Sequence, residues 1–189
     1  QVHIRVGTLS KALGSAGAFV CGSQSLIDVL ANRSRSYVFS TAHSAAASAA
    51  AIAALDIVRS EPERRRRLQK SAEHLRSRLS EQNWTLGPTT SQIIPVRIGS
   101  AARTVELAQA LRARGLWVGA IRPPSVAENE SLLRIGLSAA HTDEMIEQLL
   151  EALTELRDSF CASDQPQCND STGPKPQTTP SYTGSIPQS

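Results

Sequence analysis

A lone lysine stands in a run of small residues, Gly7-Thr8-Leu9-Ser10-Lys11-Ala12-Leu13-Gly14-Ser15-Ala16-Gly17, directly behind a stretch that reads as a strand, Val2 to Val6. Of the twenty basic side chains only three are lysines, Lys11, Lys70 and Lys175. Where a composition prefers arginine so strongly, a lysine among glycines suits a task that a guanidinium cannot perform. A primary amine loses its proton when desolvated and attacks a carbonyl to form a Schiff base, whereas arginine stays charged and inert. The small neighbours leave room for a flat cofactor against the backbone. The competing reading is a solvated loop lysine, because arginine bias also follows coding composition.

The elements that must hold this loop come from a chain of 189 residues with 40% hydrophobic content, enough for one core or two small ones. No apolar run reaches the ~18 residues that a bilayer crossing needs, and no basic-then-apolar leader opens the chain. The expectation is a protein with no membrane association. The net charge of +3 is a small imbalance, and its densest spot is Arg64-Arg65-Arg66-Arg67. Four successive arginines point in four directions around a helix, with Glu61, Glu63 and Glu73 near enough to pair. A nucleic-acid patch rests on that run alone and is weak, since no aromatic residues interleave to stack on bases. Cys21, Cys161 and Cys168 show no metal-ligand spacing, so free thiols and a cytoplasmic location are expected, with no metal.

Val2 to Val6 and Ala18 to Cys21 read as short buried strands flanking the glycine loop. Ser23-Gln24-Ser25-Leu26-Ile27-Asp28 starts a helix with a serine able to cap it, and Tyr37-Val38-Phe39 reads as another extended piece. A small-residue helix follows from about His43 to Arg59. Glu61-Pro62 opens a new helix to about Ser80, with Leu68, Ala72, Leu75 and Leu79 on one stripe. Beyond Gly87-Pro88 the pattern gives strand Ile93 to Ile98, helix Thr104 to Arg114 stopped by Gly115, strand Leu116 to Ile121, strand Leu132 to Leu137 and helix Thr142 to Arg157. Two helices on three short strands make an α+β unit. From Ser159 onward Ser, Thr, Pro, Gln and Gly dominate, and the tail reads as disordered.

Three separated motifs now coincide. Thr8-Leu9-Ser10-Lys11-Ala12-Leu13-Gly14 resembles the cofactor-lysine signature of the α-oxoamine synthases, pyridoxal-phosphate enzymes of the aspartate aminotransferase fold. Phe39-Ser40-Thr41 resembles the segment that reaches across that family's dimer to the partner's cofactor phosphate. Ala120-Ile121-Arg122-Pro123-Pro124-Ser125-Val126, Leu133-Arg134-Ile135 and Leu137-Ser138-Ala139-Ala140-His141-Thr142 resemble the C-terminal signature of the family's biotin-pathway branch. Order and spacing match over about Val2 to Leu156.

The resemblance implies an α/β chain of the pyridoxal-phosphate-dependent transferase fold (fold type I). Residues 1–60 would be the C-terminal part of the large cofactor-binding domain, 61–158 a small α+β C-terminal domain, and 159–189 the tail. It implies a cytoplasmic homodimer with shared active sites acting on small molecules, an amino acid and an acyl thioester. Lys11 would hold pyridoxal 5'-phosphate and then serve as general base. Thr8, Ser40 and Thr41 would contact the cofactor, and Arg134 and Arg122 the substrates. The biotin-pathway signature implies L-alanine and a pimeloyl thioester; sister activities pair glycine or serine with other acyl-CoA substrates.

Simpler roles stand beside these. Thr8 could cap the turn and Thr41 the following helix. Arg134, inside an alternating strand, calls for a carboxylate partner, from a substrate or from a structural Asp or Glu. Arg122, extended before two prolines, could brace its loop. His43 and His141 read as structural. Ala18 stands where the family usually has glycine, and Ala127 where it has proline. The family's ring-stacking histidine and its Asp-x-x-His segment have no counterpart here. The expectation is therefore a C-terminal half, inactive alone, with a non-catalytic fragment or interaction module as the alternative.

Overall fold

The computed structural model describes residues 2–161, so most of the expected tail and Cys168 lie outside the described residues. The chain divides into two compact units, Gln1–Lys70 and Ser71–Ser189. Sequence placed a boundary at 60/61; the division instead falls inside a helix.

In the first unit, β1 (Arg5–Thr8) and β2 (Ala18–Cys21) form a two-stranded antiparallel ribbon with Thr8 opposite Ala18 and Arg5 opposite Cys21. Both strands were expected to be buried, yet all their residues are exposed except Gly7, which is half-buried. A two-stranded ribbon has no second layer of its own. Helix α1 (Gln24–Arg33) starts where Ser23 accepts a hydrogen bond from the Leu26 amide at 3.3 Å. Next comes a single helical turn, α2 (Arg35–Val38), where an extended piece was expected. With no strand beside them, the amides of Val38 and Phe39 bond back to the carbonyls of Ser34 and Arg35 at 2.9 and 3.0 Å. The Arg35 guanidinium also lies 5.9 Å from the Phe39 ring. Helix α3 (Ala45–Ser60) is the alanine-rich one, and it buries only Ala51. Helix α4 (Pro62–Glu81) begins in this unit with proline in its first turn.

The second unit has the core. The C-terminal part of α4 contributes Ala72, Leu75 and Leu79, so three helices, not two, pack on the sheet. The others are α5 (Ala101–Ala113) and α6 (Asp143–Cys161). Strands β3 (Ile93–Gly99), β4 (Gly119–Ile121) and β5 (Ser131–Gly136) form an antiparallel sheet in the order β3-β5-β4. Alternation sends Ile94, Val96, Leu133 and Ile135 to the helices, against Leu107, Leu111, Ile146, Leu150 and Leu153. Strand β4 begins at Gly119, not Leu116, because the Leu116 amide is used at the end of α5, bonded to the Leu111 carbonyl at 3.0 Å, while Gly115 turns at φ +80. Proline at position 95 is accommodated because β3 is an edge strand. No helix among the described residues is long and apolar enough to cross a membrane.

Across the surface of α4 and α6, His74 Nε2 and Glu147 Oε1 are 2.7 Å apart, and Arg78 Nη1 stands 3.5 Å from Glu147 Oε2. The His74 hydrogen bond, helped by the Arg78 charge, holds the Glu147 carboxyl below its ordinary value. A depressed folded-state value means stability present above the unfolded carboxylate range and lost as pH falls through the folded one. Glu147→Gln is therefore expected to lower the thermal midpoint slightly at pH 6, with the difference from the parent shrinking from about pH 4, the unfolded carboxylate range, and gone only below the lower folded-state value; melting curves across that range check it. The burial pattern gives a larger contrast. Leu133→Ala should cost about 3 kcal/mol, and Ile52→Ala on exposed α3 less than about 0.5 kcal/mol, both read from denaturant unfolding.

Candidate active site

Lys11 lies in the nine-residue connection from β1 to β2, and backbone bonds close that loop on itself. The Leu9 amide donates to the Gly17 carbonyl at 2.9 Å, the Ser15 amide to the Leu9 carbonyl at 2.9 Å, and the Gly14 amide to the Lys11 carbonyl at 3.0 Å. Gly14 and Gly17 take φ +58 and +91, a region that L side chains rarely adopt. At Gly7 the requirement is spatial: a Cβ there would meet the Phe19 ring at 2.4 Å. The glycines singled out in the sequence are thus what the loop's shape demands.

Thr8 caps the turn. Its hydroxyl accepts from the Ser10 amide at 3.2 Å, stands 2.7 Å from the Ser10 hydroxyl and donates to the Gly17 carbonyl at 3.3 Å. Ser10 was not singled out from sequence, although a hydroxyl two residues after a turn threonine is the signal that could have found it. The loop is also tied to the chain beyond it. The Ser15 hydroxyl donates to the Ala47 carbonyl at 2.6 Å, and the ring of His43 lies against Gly17. The segment holding Ser40 and Thr41 therefore leads directly into residues that touch the Lys11 loop.

Ser40 donates its hydroxyl to the Ser36 carbonyl. Thr41 does not cap α3: the N-cap is Ser44, which makes no side-chain cap bond. Thr41, like Lys11, is exposed.

Arg134 and Arg122 belong to the second unit. Arg134 sits mid-strand in β5 between buried Leu133 and Ile135, so alternation turns it to the opposite face, where it is exposed. Of the two carboxylate partners considered, a structural Asp or Glu is absent among the described residues, since an outward-facing guanidinium has water for company and needs none. The neighbouring position on β4 is Gly119, whose missing side chain leaves the space beside Arg134 clear. Arg97 on β3 faces the same way, between buried Val96 and half-buried Ile98. Period-two alternation from Ile94 onward would have placed it on the outward face, where it pairs with Leu132, but sequence reading passed over it. Arg122 follows β4; its carbonyl accepts from the Ser125 amide at 3.0 Å and closes the turn over Pro123 and Pro124. The His141 ring is a local brace, with Nδ1 accepting from the Ser138 amide at 3.0 Å ahead of α6.

The profile of the family described as aminotransferase class I and II matches residues 1–153. The 8-amino-7-oxononanoate synthase of Methylococcus capsulatus is 46% identical over 155 residues, covering 82% of this chain and 40% of that protein. That of Hydrogenovibrio crunogenus is 41% identical over 160 residues, covering 85% of this chain and 40% of that protein. Among solved structures, Sphingomonas wittichii serine palmitoyltransferase superposes with a TM-score of 0.80 at 31% identity, covering 85% of this chain and 41% of that one. The chain spans about 40% of the length of the curated relatives it matches.

Thr8→Val removes the acceptor for the Ser10 amide and the donor to Gly17 together. Amide exchange at Ser10 should then quicken by about tenfold, while Thr8→Ser stays at the parental rate, as measured by hydrogen exchange.

Proposed function

Because the chain belongs to the class I and II aminotransferase family, with the α/β fold of its pyridoxal-phosphate-dependent members of the aspartate aminotransferase type, we propose that it carries the lysine-bearing part of an 8-amino-7-oxononanoate synthase. The reaction is the decarboxylative condensation of L-alanine with a pimeloyl thioester, carried by coenzyme A or a carrier protein, in biotin synthesis. The protein works as a cytoplasmic homodimer with shared sites. Support comes from the relatives' names and from the run Arg122 to Val126. The observation that carries the reading is Lys11, the one lysine in a glycine-shaped loop with clustered hydroxyls.

The residues present fit the cofactor. Lys11 is exposed, and a Cβ on Gly14 would meet no heavy atom within 4 Å, so the loop's main chain is open at Gly14. Thr41 offers a neutral hydroxyl donor suited to phosphate oxygens, and Thr8 and Ser40 would offer theirs by releasing the carbonyls of Gly17 and Ser36. Bound pyridoxal phosphate supplies an electron sink for negative charge at the amino acid's Cα. Lys11 would hold the cofactor through Nζ, and that nitrogen, displaced by the incoming amino group, would accept the Cα proton. Arg134 presents a planar fork to the amino acid carboxylate, with no carboxylate partner among the described residues. Arg122 is the second substrate contact, in the turn after β4. A condensation on serine is the second reading, favoured by the likeness to the Sphingomonas enzyme; product analysis with alanine against serine separates the two.

The full chain, mixed with pyridoxal phosphate and reduced with borohydride, should take its label on Lys11, mapped by peptide mass, and Lys11→Arg should lose that labelled peptide. Label spread evenly over Lys11, Lys70 and Lys175 overturns the assignment.

A further inference from the structure

Gly17 is the residue on which the Lys11 loop closes. Its carbonyl takes both the Leu9 amide at 2.9 Å and the Thr8 hydroxyl at 3.3 Å. Its φ of +91 and its missing side chain make room for one neighbour, the imidazole of His43. A Cβ built on Gly17 would stand 3.1 Å from His43 Cε1, 3.3 Å from Nε2 and 3.7 Å from Nδ1. The three nearest atoms are the contiguous Nδ1, Cε1 and Nε2 of one imidazole, so the ring packs against the glycine. Four residues on, the Ala47 carbonyl accepts the Ser15 hydroxyl at 2.6 Å. The loop is therefore gripped at Ser15 and Gly17 by residues 43 and 47, and the second grip stands on the first turn of α3, a 16-residue helix.

We infer that His43 is a positioning residue for Lys11: its ring holds Gly17 in the left-handed conformation that closes the loop and thereby fixes where the amine is presented. This deepens the proposed function and rests on it for the amine's chemistry, though not for the contact itself. Without the ring, Gly17 has free access to negative φ as well as positive, because glycine populates both about equally. The Leu9–Gly17 and Thr8–Gly17 bonds then lose the backbone geometry that aligns them. The Ser15–Ala47 bond survives, so the loss is local. The part played is shape, and a flat apolar ring should serve as well as an imidazole.

The loop's own chemistry supplies the probe, because trypsin cleaves after Lys11 once the loop opens. In the full chain, His43→Ala should raise cleavage between Lys11 and Ala12 by about tenfold relative to cleavage in the second unit. His43→Phe should return it to within about twofold of the parent, and the global unfolding midpoint should stay unchanged in both. In parallel, borohydride-trapped labelling of Lys11 by pyridoxal phosphate should slow by about tenfold in His43→Ala and recover in His43→Phe. Parental cleavage in His43→Ala, or His43→Phe cleaved as fast as His43→Ala, overturns the inference. If Lys11 of the parent takes no label, the functional reading fails and the protease comparison still decides the role of His43.

Discussion

The second unit depends on the alternation of β5, the central strand of its sheet. Leu133 and Ile135 point into the helices at 0% and 3% exposure, and this forces Arg134 between them to the other face. The same step that completes the core therefore delivers the guanidinium. A one-residue slip of β5 would bury Arg134 and expose both aliphatics, a reversal that no local repacking could absorb. The flanking strands hold the register in place. Pro95 and Gly119 are the positions opposite Arg134 on β3 and β4, and neither brings a side-chain donor or a charge that would compete with it.

The first unit reaches its order by another route. Its one buried apolar residue is Ala51, while Val6, Tyr37, Phe39 and Ile52 are each more than half exposed. Hydrophobic burial within these residues cannot be what shapes the Lys11 loop, since too little apolar surface leaves water. The shape comes from short-range hydrogen bonds and from glycine dihedrals, contacts that span no more than nine residues within the loop and its threonine. Such contacts are legible in sequence as residue types, glycine and hydroxyl, where a core would be legible as a period.

That difference explains what could be read in advance. The stripe of α4 and the two long strands of the sheet followed from apolar periodicity, because each of those patterns answers to a packing surface in the same chain, whereas α5 begins at Ala101, ahead of the expected Thr104. Tyr37-Val38-Phe39 looked extended because β-branched and aromatic residues favour strands. That preference is realised only against a neighbouring strand, and with none beside it the segment closed a helical turn. The exposure of β1 and β2 escaped for a related reason: apolar character reports a tendency to be covered, and the cover is not among the residues that periodicity can count. At the site, Lys11 and Arg134 were legible from residue type and strand phase. The grip of His43 and Ala47 on the loop was not, since contacts across 26 and 32 residues leave no spacing rule in the chain.

Sites shaped by backbone conformation and sites shaped by packing respond differently to substitution. Around Arg134 most changes act through volume, so their cost scales with the cavity left behind. Around Lys11 an apolar side chain can be trimmed at little cost, because it was never buried, whereas a single methyl group on Gly7 or Gly17 meets an aromatic ring or an imidazole that must move aside. The lysine is thus held by the residues that have the least side chain. Small residues are needed there for two reasons, at Gly14 and Gly17 to permit the left-handed turns and at Gly7 to admit the Phe19 ring.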